Sequence, residues 1–283
     1  MKVICLIDMS AVMCRFGYAL KDYKNERNFP IGALYGMFNI LINCIKILKA
    51  NNIVVVKEGK NNYKKQIYVK YKCHRKHIDD FILQQFDFFL ELVSILNINL
   101  FFKDQFEADD IIASLAWQIY VRKQYEKIYI ITFDKDLFQM LDLKNVLIAK
   151  PTMKNFVIIN KKEFEQKKQV SVESYASFLA LCGDASDNIP GIAGIGEVSA
   201  RQILKNGKTL YDIYANVNTI SCKFRKKIID NKKKVFKFLT LTTLNRYIEF
   251  DFSEIEKILL FYSKDYNIEK LLDNLFTIMN FLF

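Results

Sequence analysis

The sequence predicts an α/β fold built on a mostly parallel sheet with flanking helices. Three apolar runs have the length and composition of buried strands, namely residues 3–7, 53–56 and 128–133. Asp8 ends the first run and Asp134 follows the last. Because ligands bind beyond the carboxyl ends of the strands in an open α/β sheet, the two aspartates predict one acid-lined crevice.

The remaining elements follow from the spacing of apolar residues and from turn residues. Helical spacing predicts three helices, and short β-branched and aromatic runs predict two further strands. The helices are residues 32–50, 81–97 and 107–122, and the added strands are residues 146–148 and 156–159. The Phe-rich face of the second helix is predicted to be core, and the pattern becomes helical from about Val170.

Nine acidic side chains stand where elements start or stop. A single aspartate after a strand is more often a turn former or a helix cap. Burial of unpaired carboxylates is costly, however, so the whole set in apolar surroundings predicts a polynuclear metal site. Oxygen ligands without His or Cys clusters favour Mg²⁺ or Mn²⁺ over zinc. The nine are Asp8, Glu58, Glu107, Asp109, Asp110, Asp134, Asp136, Asp184 and Asp187.

Charge and composition limit the class of protein. The 283 residues include 42 Lys and Arg against 31 Asp and Glu, a formal charge of +11, which favours a polyanionic partner. Solubility and a bias towards Lys, Asn and Ile are the alternative explanation. The six cysteines lack C-x-x-C spacing and are expected to be reduced. Asp8 and Arg15 interrupt the first apolar run and no other uncharged stretch has membrane-spanning length, so we expect a soluble, non-secreted protein.

Residues 59–80 form a basic segment that is rich in Lys, Arg and Tyr and lacks an aliphatic core pattern. Aromatic rings among cations suit a single nucleic-acid strand, because the rings stack on bases while the cations contact phosphates. A solvated, partly disordered loop is the other interpretation of the same composition.

Residues 183–204 combine two aspartates with a glycine-rich turn and a helix. The glycines allow a tight hairpin, and Gly194-Ile195-Gly196 leads into a helix whose free amides can contact a phosphate. Beside Asp184 and Asp187, this pattern predicts a helix-hairpin-helix that grips duplex backbone without reading bases. Basic residues between 223 and 237 extend that surface or form a solvated helix face.

Together these segments resemble the 5′-nuclease family, which comprises the 5′→3′ exonuclease domain of bacterial DNA polymerase I and the phage and eukaryotic flap endonucleases. The resemblance runs collinearly from about residue 3 to about residue 245. It implies a PIN-like (Rossmann-like) nuclease core over residues 1–170, with a helical arch at about 59–90, and an all-α helix-hairpin-helix module over 171–245. Residues 246–283 are expected to form a C-terminal helical extension packed on the core.

The resemblance also implies roles for individual residues. A first divalent ion would be held by Asp8, Glu107, Asp109 and Asp110, and a second by Asp134, Asp136, Asp184 and Asp187. The catalytic cations would be Arg15, near the scissile phosphate, and Lys72 and Arg75 of the motif Tyr71-Lys72-Cys73-His74-Arg75 at the base of the arch. DNA contacts are expected at Tyr71, Gly191, Gly194, Gly196, Arg201 and Lys205, and the backbone at Ile192 and Ile195 would bind K⁺.

One position departs from the family pattern. The family ends its second strand with an aspartate that helps to hold the first ion, whereas residues 53–56 are followed here by Lys57 and then Glu58. A protonated lysine is not a ligand and repels a nearby cation. Glu58 replaces the aspartate only if the strand end twists by one residue, since neighbouring side chains on a strand face opposite ways.

The activity that the resemblance implies is two-metal hydrolysis of DNA at free 5′ ends, as a 5′→3′ exonuclease and 5′-flap endonuclease of replication and repair. Flaps, nicks and gaps are the expected substrates, and RNA primers are compatible with them. We expect a monomer in a bacterial cytoplasm or a DNA-containing organelle, either free-standing or as the front of a longer polymerase. The alternatives are a DNA-structure clamp weakened by Lys57 and an RNA-directed PIN-like nuclease, a group that usually lacks the hairpin module.

Overall fold

A single sheet organises the molecule in a computed structural model that describes residues 2–96, 98–251, 253, 255–256 and 268–282. The strand order is β3-β2-β1-β4-β5-β6. All neighbouring pairs are parallel except β5 and β6, which are antiparallel. The strands are β1 (Val3–Asp8), β2 (Asn52–Val56), β3 (Asn99–Phe101), β4 (Lys127–Ile131), β5 (Val146–Pro151) and β6 (Phe156–Ile159).

Helices cover both faces of the sheet and form the hairpin module. Short 3-10 helices at Asp136–Asp142, Ala185–Asp187 and Val217–Thr219 connect them. The α-helices are α1 (Met9–Ala19), α2 (Gly32–Lys46), α3 (Lys64–Ile67), α4 (Asp80–Ile95), α5 (Ala108–Arg122), α6 (Lys161–Lys168), α7 (Tyr175–Cys182), α8 (Glu197–Ile203), α9 (Leu210–Ala215), α10 (Cys222–Asp230), α11 (Lys232–Thr242) and α12 (Ile268–Leu282).

Alternation along the buried strands separates two cores. Ile4 and Leu6 of β1 face a core that includes apolar residues of α5, α7, α8 and α11. Val3, Cys5 and Ile7 face the other core, which is filled from α1, α2 and α4. Side chains on a strand point to opposite faces in turn, so a strand that is apolar throughout must be covered on both sides.

The sheet has a topological switch point at β1. This strand pairs with β2 on one side and with β4 on the other, and the chain builds outwards from it in both directions. Asp8 is the last residue of β1, and Asp134 follows β4 in the next loop. In open α/β sheets this is the place where ligands bind, so the fold positions both aspartates at the expected crevice.

The α/β prediction is confirmed, but several elements were not predicted, among them helix α1, strand β3 and helix α6. Helix α1 starts directly after β1, and the Asp8 side chain caps it by accepting a hydrogen bond from the Ala11 N–H. Strand and helix therefore share one apolar run with no loop to mark the change. Strand β3 has three residues, too few to show alternation. The helix predicted at 32–50 ends at Lys46.

The segment predicted as an arch, residues 59–90, is divided by the structure. From Asp80 onwards it belongs to α4, whose Ile82, Phe86 and Phe89 are buried in the core with α1 and α2. This burial confirms the core predicted for the Phe-rich face of the helix, and the arch at about 59–90 stays a prediction. Residues 59–79 contain the short helix α3 and turns.

The C-terminal helix α12 packs against α2 and contributes to the core formed by α1, α2 and α4. Leu271 and Leu275 are buried there, and the Lys46 ammonium of α2 lies 4.4 Å from the centroid of the Phe276 ring. Residues 257–267 of the expected extension lie outside the described residues. The predicted domain boundaries stay a prediction. Among the described residues, no helix has the length and apolarity that crossing a membrane requires.

Candidate metal centre

The first acidic group consists of Glu107, Asp109 and Asp110 at the start of α5. Each carboxylate is buried and offers an oxygen within 4.8 Å of an oxygen of the other two. Glu107 occupies the N-cap position and the aspartates lie in the first turn. The free amides at a helix N-terminus favour negative charge, which is the local reason why three acids are tolerated in four residues.

The second acidic group consists of Asp136, Asp184 and Asp187, whose carboxylates also approach within 4.8 Å of one another. Asp136 begins the 3-10 helix after β4, and the other two flank the 3-10 helix that opens the hairpin. All three are buried. The hairpin module thus supplies two of the three carboxylates, and the sheet supplies the third.

Tyr71 and Lys72 join the two acidic groups. The Tyr71 hydroxyl lies 2.8 Å from Glu107 Oε2 and 2.9 Å from Asp187 Oδ2. Lys72 Nζ lies 2.5 Å from Glu107 Oε1 and 3.6 Å from Asp187 Oδ2. A single hydroxyl and a single ammonium reach both groups, so six of the eight acids that the resemblance assigns as ligands form one continuous acidic centre.

Asp8 and Asp134, the other two of those eight, lie together beside the centre. Thr132 Oγ1 donates a hydrogen bond to Asp8 Oδ2 at 2.9 Å and accepts one from the Asp134 N–H at 2.9 Å. Asp134 Oδ1 in turn accepts from the Asp136 N–H at 2.8 Å, which connects this pair to the second group. Burial raises the pKa of Asp8 to about 7, and the Asp134 charge adds to the rise.

Cations from the protein itself balance part of this charge. Arg75 Nη2 lies 2.8 Å from Asp187 Oδ1, and Lys135 Nζ lies 2.5 Å from Asp184 Oδ1. Lys64 is the most buried of them, with a side chain that is 1% exposed. Lys64 could not be singled out from the sequence, because nothing in the pattern of the basic segment distinguishes it from its exposed neighbour Lys65.

The balance of charge differs from one carboxylate to the next. Burial raises the pKa of Glu107, but the charges of Lys64 and Lys72 outweigh it and lower that pKa to about 2. Burial dominates at Asp109 and Asp136 and raises both pKa values well above the ordinary range. The centre therefore favours further positive charge near these two aspartates.

Unpartnered oxygens show that the centre fits divalent ions. Among the described residues, Asp136 Oδ1 and Asp184 Oδ2 are buried without a hydrogen-bond partner, and only an ion-pair contact reaches Asp110 Oδ2. Buried carboxylate oxygens without partners are costly, and a hard cation removes that cost. The donor set of the two acidic groups is oxygen alone, which suits Mg²⁺ or Mn²⁺.

The side chains of Lys57 and Glu58 have different surroundings. Lys57 Nζ lies 5.9 Å from the centroid of the Phe102 ring, and the described residues include no ion pair between it and an acid of the centre. Glu58 is exposed, yet its charge contributes to the rise in the pKa of Asp8. Glu58 rather than Lys57 therefore lies towards the acidic centre, as alternation along a strand allows.

Arg15 and Tyr71, two residues predicted to contact DNA, differ in exposure. Arg15 is exposed, its guanidinium lies 5.6 Å from the centroid of the Phe133 ring, and both line a groove of about 600 Å³ with Tyr18 and Asp134. The Tyr71 ring is 1% exposed. The Tyr71 ring is therefore packed and its hydroxyl contacts two acids, and the DNA contact expected at Tyr71 stays a prediction.

The hairpin residues predicted to contact DNA differ in their exposure. Gly194, Gly196 and Lys205 are exposed, whereas Gly191 is buried, and a Cβ there would lie 2.4 Å from the Gly183 nitrogen. Gly191 is therefore packed where the hairpin closes, and its DNA contact stays a prediction.

Arg201 and the predicted K⁺ position belong to the same hairpin region as these glycines. Arg201 pairs with Glu197 at 2.6 Å and donates from Nε to the Lys168 carbonyl, and its DNA contact stays a prediction. The Ile192 carbonyl accepts a hydrogen bond from the Ile195 N–H at 2.9 Å.

Fold and site together define a resolvase-like α/β protein with a candidate divalent-metal centre. The model of the 5′-3′ exonuclease N-terminal resolvase-like domain matches residues 3–169, and that of the 5′-3′ exonuclease C-terminal SAM fold matches residues 170–262. The chain belongs to the 5′-3′ exonuclease family.

Relatives named 5′-3′ exonuclease or DNA polymerase I are similar to this chain over most of its length. A 5′-3′ exonuclease of Mycoplasmopsis pulmonis is 33% identical over 249 residues, which is 86% of this chain and 80% of the relative. DNA polymerase I of Caldicellulosiruptor bescii is 32% identical over 253 residues, which is 86% of this chain but 29% of the polymerase.

Solved structures share the fold. The phage T5 D15 protein co-crystallised with metal ions has a TM-score of 0.72 at 18% identity, covering 98% of this chain and 99% of the phage protein. A T5 D15 flap endonuclease variant with DNA and metal ions has a TM-score of 0.68, also at 18% identity and with the same coverage. At this identity the similarity shows a common architecture.

Proposed function

We propose that this chain hydrolyses phosphodiester bonds of DNA at free 5′ ends, as a 5′→3′ exonuclease and 5′-flap endonuclease with two Mg²⁺ or Mn²⁺ ions. One observation carries the proposal: two buried acidic groups adjoin at Tyr71 and Lys72, which belong to the basic segment 59–80. Membership of the 5′-3′ exonuclease family supports the same direction of attack.

The acids would hold the ions in two sets. Glu107, Asp109 and Asp110 would hold the first with Asp8, and Asp136, Asp184 and Asp187 would hold the second with Asp134. Divalent ions in such a centre supply an activated water and stabilise the leaving oxygen. Thr132 Oγ1 donates to the Asp8 carboxylate and the Asp136 N–H donates to the Asp134 carboxylate, so both are oriented before any ion arrives.

Cationic side chains would bind the substrate phosphate. Lys72 contacts Glu107 and Arg75 contacts Asp187. A phosphate that enters the centre would replace these carboxylates as the partner of the two cations. Their charge then lies where negative charge builds up on the phosphate during cleavage. Arg15, exposed in the groove beside Asp134, would orient the neighbouring nucleotide.

The hairpin module would grip the duplex. Gly194, Gly196 and Lys205 are exposed, and a K⁺ ion on the backbone at Ile192 and Ile195 would help to bind a phosphate. Flaps, nicks and gaps are the proposed substrates, with RNA primers as a further one. We also propose a monomer that works beside or fused to a DNA polymerase, in a bacterial cytoplasm or a DNA-containing organelle.

A flap duplex labelled at its 5′ end tests the proposal. We expect short 5′ products with Mg²⁺ or Mn²⁺ and none with a chelator. Asp184→Asn should abolish cleavage and spare binding, because the amide removes a ligand charge while keeping the hairpin contacts. Asp230→Asn, at an exposed acid of α10, is the matched control. Tight binding without cleavage in either metal would instead establish the clamp alternative.

A further inference from the structure

Lys64 has an unusual position for a lysine in a basic, solvent-facing segment. It begins α3, its side chain is 1% exposed, and its ammonium enters the first acidic group. Nζ lies 3.1 Å from Glu107 Oε2, 2.9 Å from Asp110 Oδ2 and 4.0 Å from Asp109 Oδ1. All three carboxylates of the group thus share one buried ammonium.

The second acidic group has no equivalent among the described residues. Its cations are Lys135 and Arg75, whose side chains are 36% and 49% exposed, together with the longer contact from Lys72. Exposed cations are screened by water and leave easily, whereas a buried ammonium paired with buried carboxylates does not. Two carboxylate oxygens of the second group are also buried without a hydrogen-bond partner, at Asp136 and Asp184.

The buried ammonium in the first acidic group affects how strongly that group can bind a metal ion. A carboxylate oxygen that contacts an ammonium offers less negative charge to a divalent ion, and the ammonium also repels the ion directly. The first group therefore starts with a cation already in place, while the second starts with unused oxygens.

We propose that Lys64 is a positioning residue that acts as a resident cation of the first acidic group: it holds Glu107 and Asp110 in place and lowers the affinity of that group for a divalent ion. The two ions then bind with unequal affinity, the tighter one in the second group. This inference rests on the metal binding proposed above and adds an order of occupancy to it.

Lys64→Met tests the proposal, because methionine keeps most of the side-chain volume and removes the charge. Lys65→Met is the matched control, since Lys65 is the next residue of α3 and is exposed. Equilibrium titration with Mn²⁺ alone, followed by calorimetry, gives the number of sites and their dissociation constants without any cleavage assay. Thermal unfolding in chelator gives the stability of the metal-free protein.

We expect the wild type and Lys65→Met to bind two ions of unequal affinity. In Lys64→Met the weaker site should tighten by at least about tenfold, because a positive charge a few ångströms from the ion is removed. The metal-free variant should also unfold at a lower temperature, since three buried carboxylates lose their shared counter-ion. A merely structural lysine would lower the unfolding temperature without tightening the site.

The remaining outcomes are decisive in different ways. A folded Lys64→Met protein whose weaker site is unchanged or weakened overturns the proposal while leaving metal binding intact. A wild type that binds no Mn²⁺ refutes the metal centre itself. If Lys64→Met is unfolded in chelator, refolding on addition of Mn²⁺ supports the proposal because the ion replaces the ammonium, and failure to refold overturns it.

Discussion

The backbone N–H of Lys72 donates a hydrogen bond to the carbonyl oxygen of Asp187 at 3.0 Å. Their side chains also approach, with Nζ 3.6 Å from Asp187 Oδ2. Lys72 adopts a left-handed backbone conformation with φ of 54°, which turns the chain at this point. The basic segment is therefore fixed to the hairpin module by main-chain atoms, and the Lys72 ammonium is placed between the two acidic groups.

Replacement of Lys72 by Ala should separate chemistry from binding. The backbone contact to Asp187 remains, so we expect flap affinity to stay within about threefold, while turnover falls by at least about a hundredfold because charge is lost at the phosphate. Single-turnover rates and a binding curve on the same flap measure the two quantities. Lys144→Ala, at an exposed lysine before β5, is the control. An equal fall in rate and affinity would make Lys72 a simple phosphate contact.

Glu58 and Lys57 should differ in their effect on metal binding. The Glu58 charge acts on Asp8, whereas the Lys57 ammonium lies near the Phe102 ring. We expect Glu58→Gln to weaken Mn²⁺ binding by roughly threefold to tenfold and Lys57→Met to change it by less than about twofold. Calorimetric titration of each variant measures this. A larger effect at Lys57 would mean that its ammonium does oppose the first ion.

The metal-free protein should lose stability as pH rises. Burial raises the pKa of Asp8 from 3.8 to about 7, so the folded state binds this proton more tightly than the unfolded chain does. The stabilising contribution is complete below about pH 4 and is lost as pH rises through about 7. It amounts to at most about 4 kcal/mol of the free energy of unfolding.

Asp8→Asn checks this dependence. The amide cannot ionise, so we expect a smaller loss of the free energy of unfolding between about pH 5 and about pH 8, measured by denaturant titration in chelator. At the upper pH the variant should be the more stable protein. Asp230→Asn, an exposed acid, should keep the wild-type slope. An unchanged slope in Asp8→Asn would show that Asp8 is ionised in the folded protein throughout.

The sequence predicted the edge of the sheet and the cations Lys72 and Arg75, but not the buried Lys64 or the contacts of the Tyr71 hydroxyl with the acids. Strand runs that end in Asp8 and precede Asp134 fix the crevice, because local periodicity and strand direction are enough to place them. Lys64 and Tyr71 reach the acids through a short helix and turns, where no periodic pattern tells an inward side chain from an outward one. Their roles depend on contacts between distant parts of the chain.

The same reason limits what the sequence can say about the hairpin. A glycine that contacts DNA and a glycine that closes a turn look alike in sequence, and only packing separates Gly196 from Gly191. Arg201 likewise resembles a phosphate ligand in sequence, and only the structure shows its pairing with Glu197. Local sequence gives the type of element, whereas the partner of each side chain depends on the tertiary fold.

The hairpin glycines should have opposite sensitivity to alanine. Gly191 has a φ of +65°, and an added Cβ would meet backbone atoms at 2.4 to 2.6 Å, whereas Gly196 has open space around it. We expect Gly191→Ala to lower the free energy of unfolding by about 2 kcal/mol or more and Gly196→Ala to change it by less than about 1 kcal/mol. Denaturant titration of both variants measures the difference.

The strain at Gly191 should reach the metal centre. Asp184 is joined to Ile189 by two backbone hydrogen bonds, so the loop that carries Asp184 and Asp187 is closed by the segment that Gly191 ends. A shift of that segment displaces two carboxylates of the second acidic group. We therefore expect folded Gly191→Ala protein to bind Mn²⁺ at least about tenfold more weakly at its tighter site, since carboxylate geometry sets the affinity. Equal Mn²⁺ affinity in the two glycine variants would show that the carboxylates are held by Lys135 and Arg75 and not by the hairpin backbone.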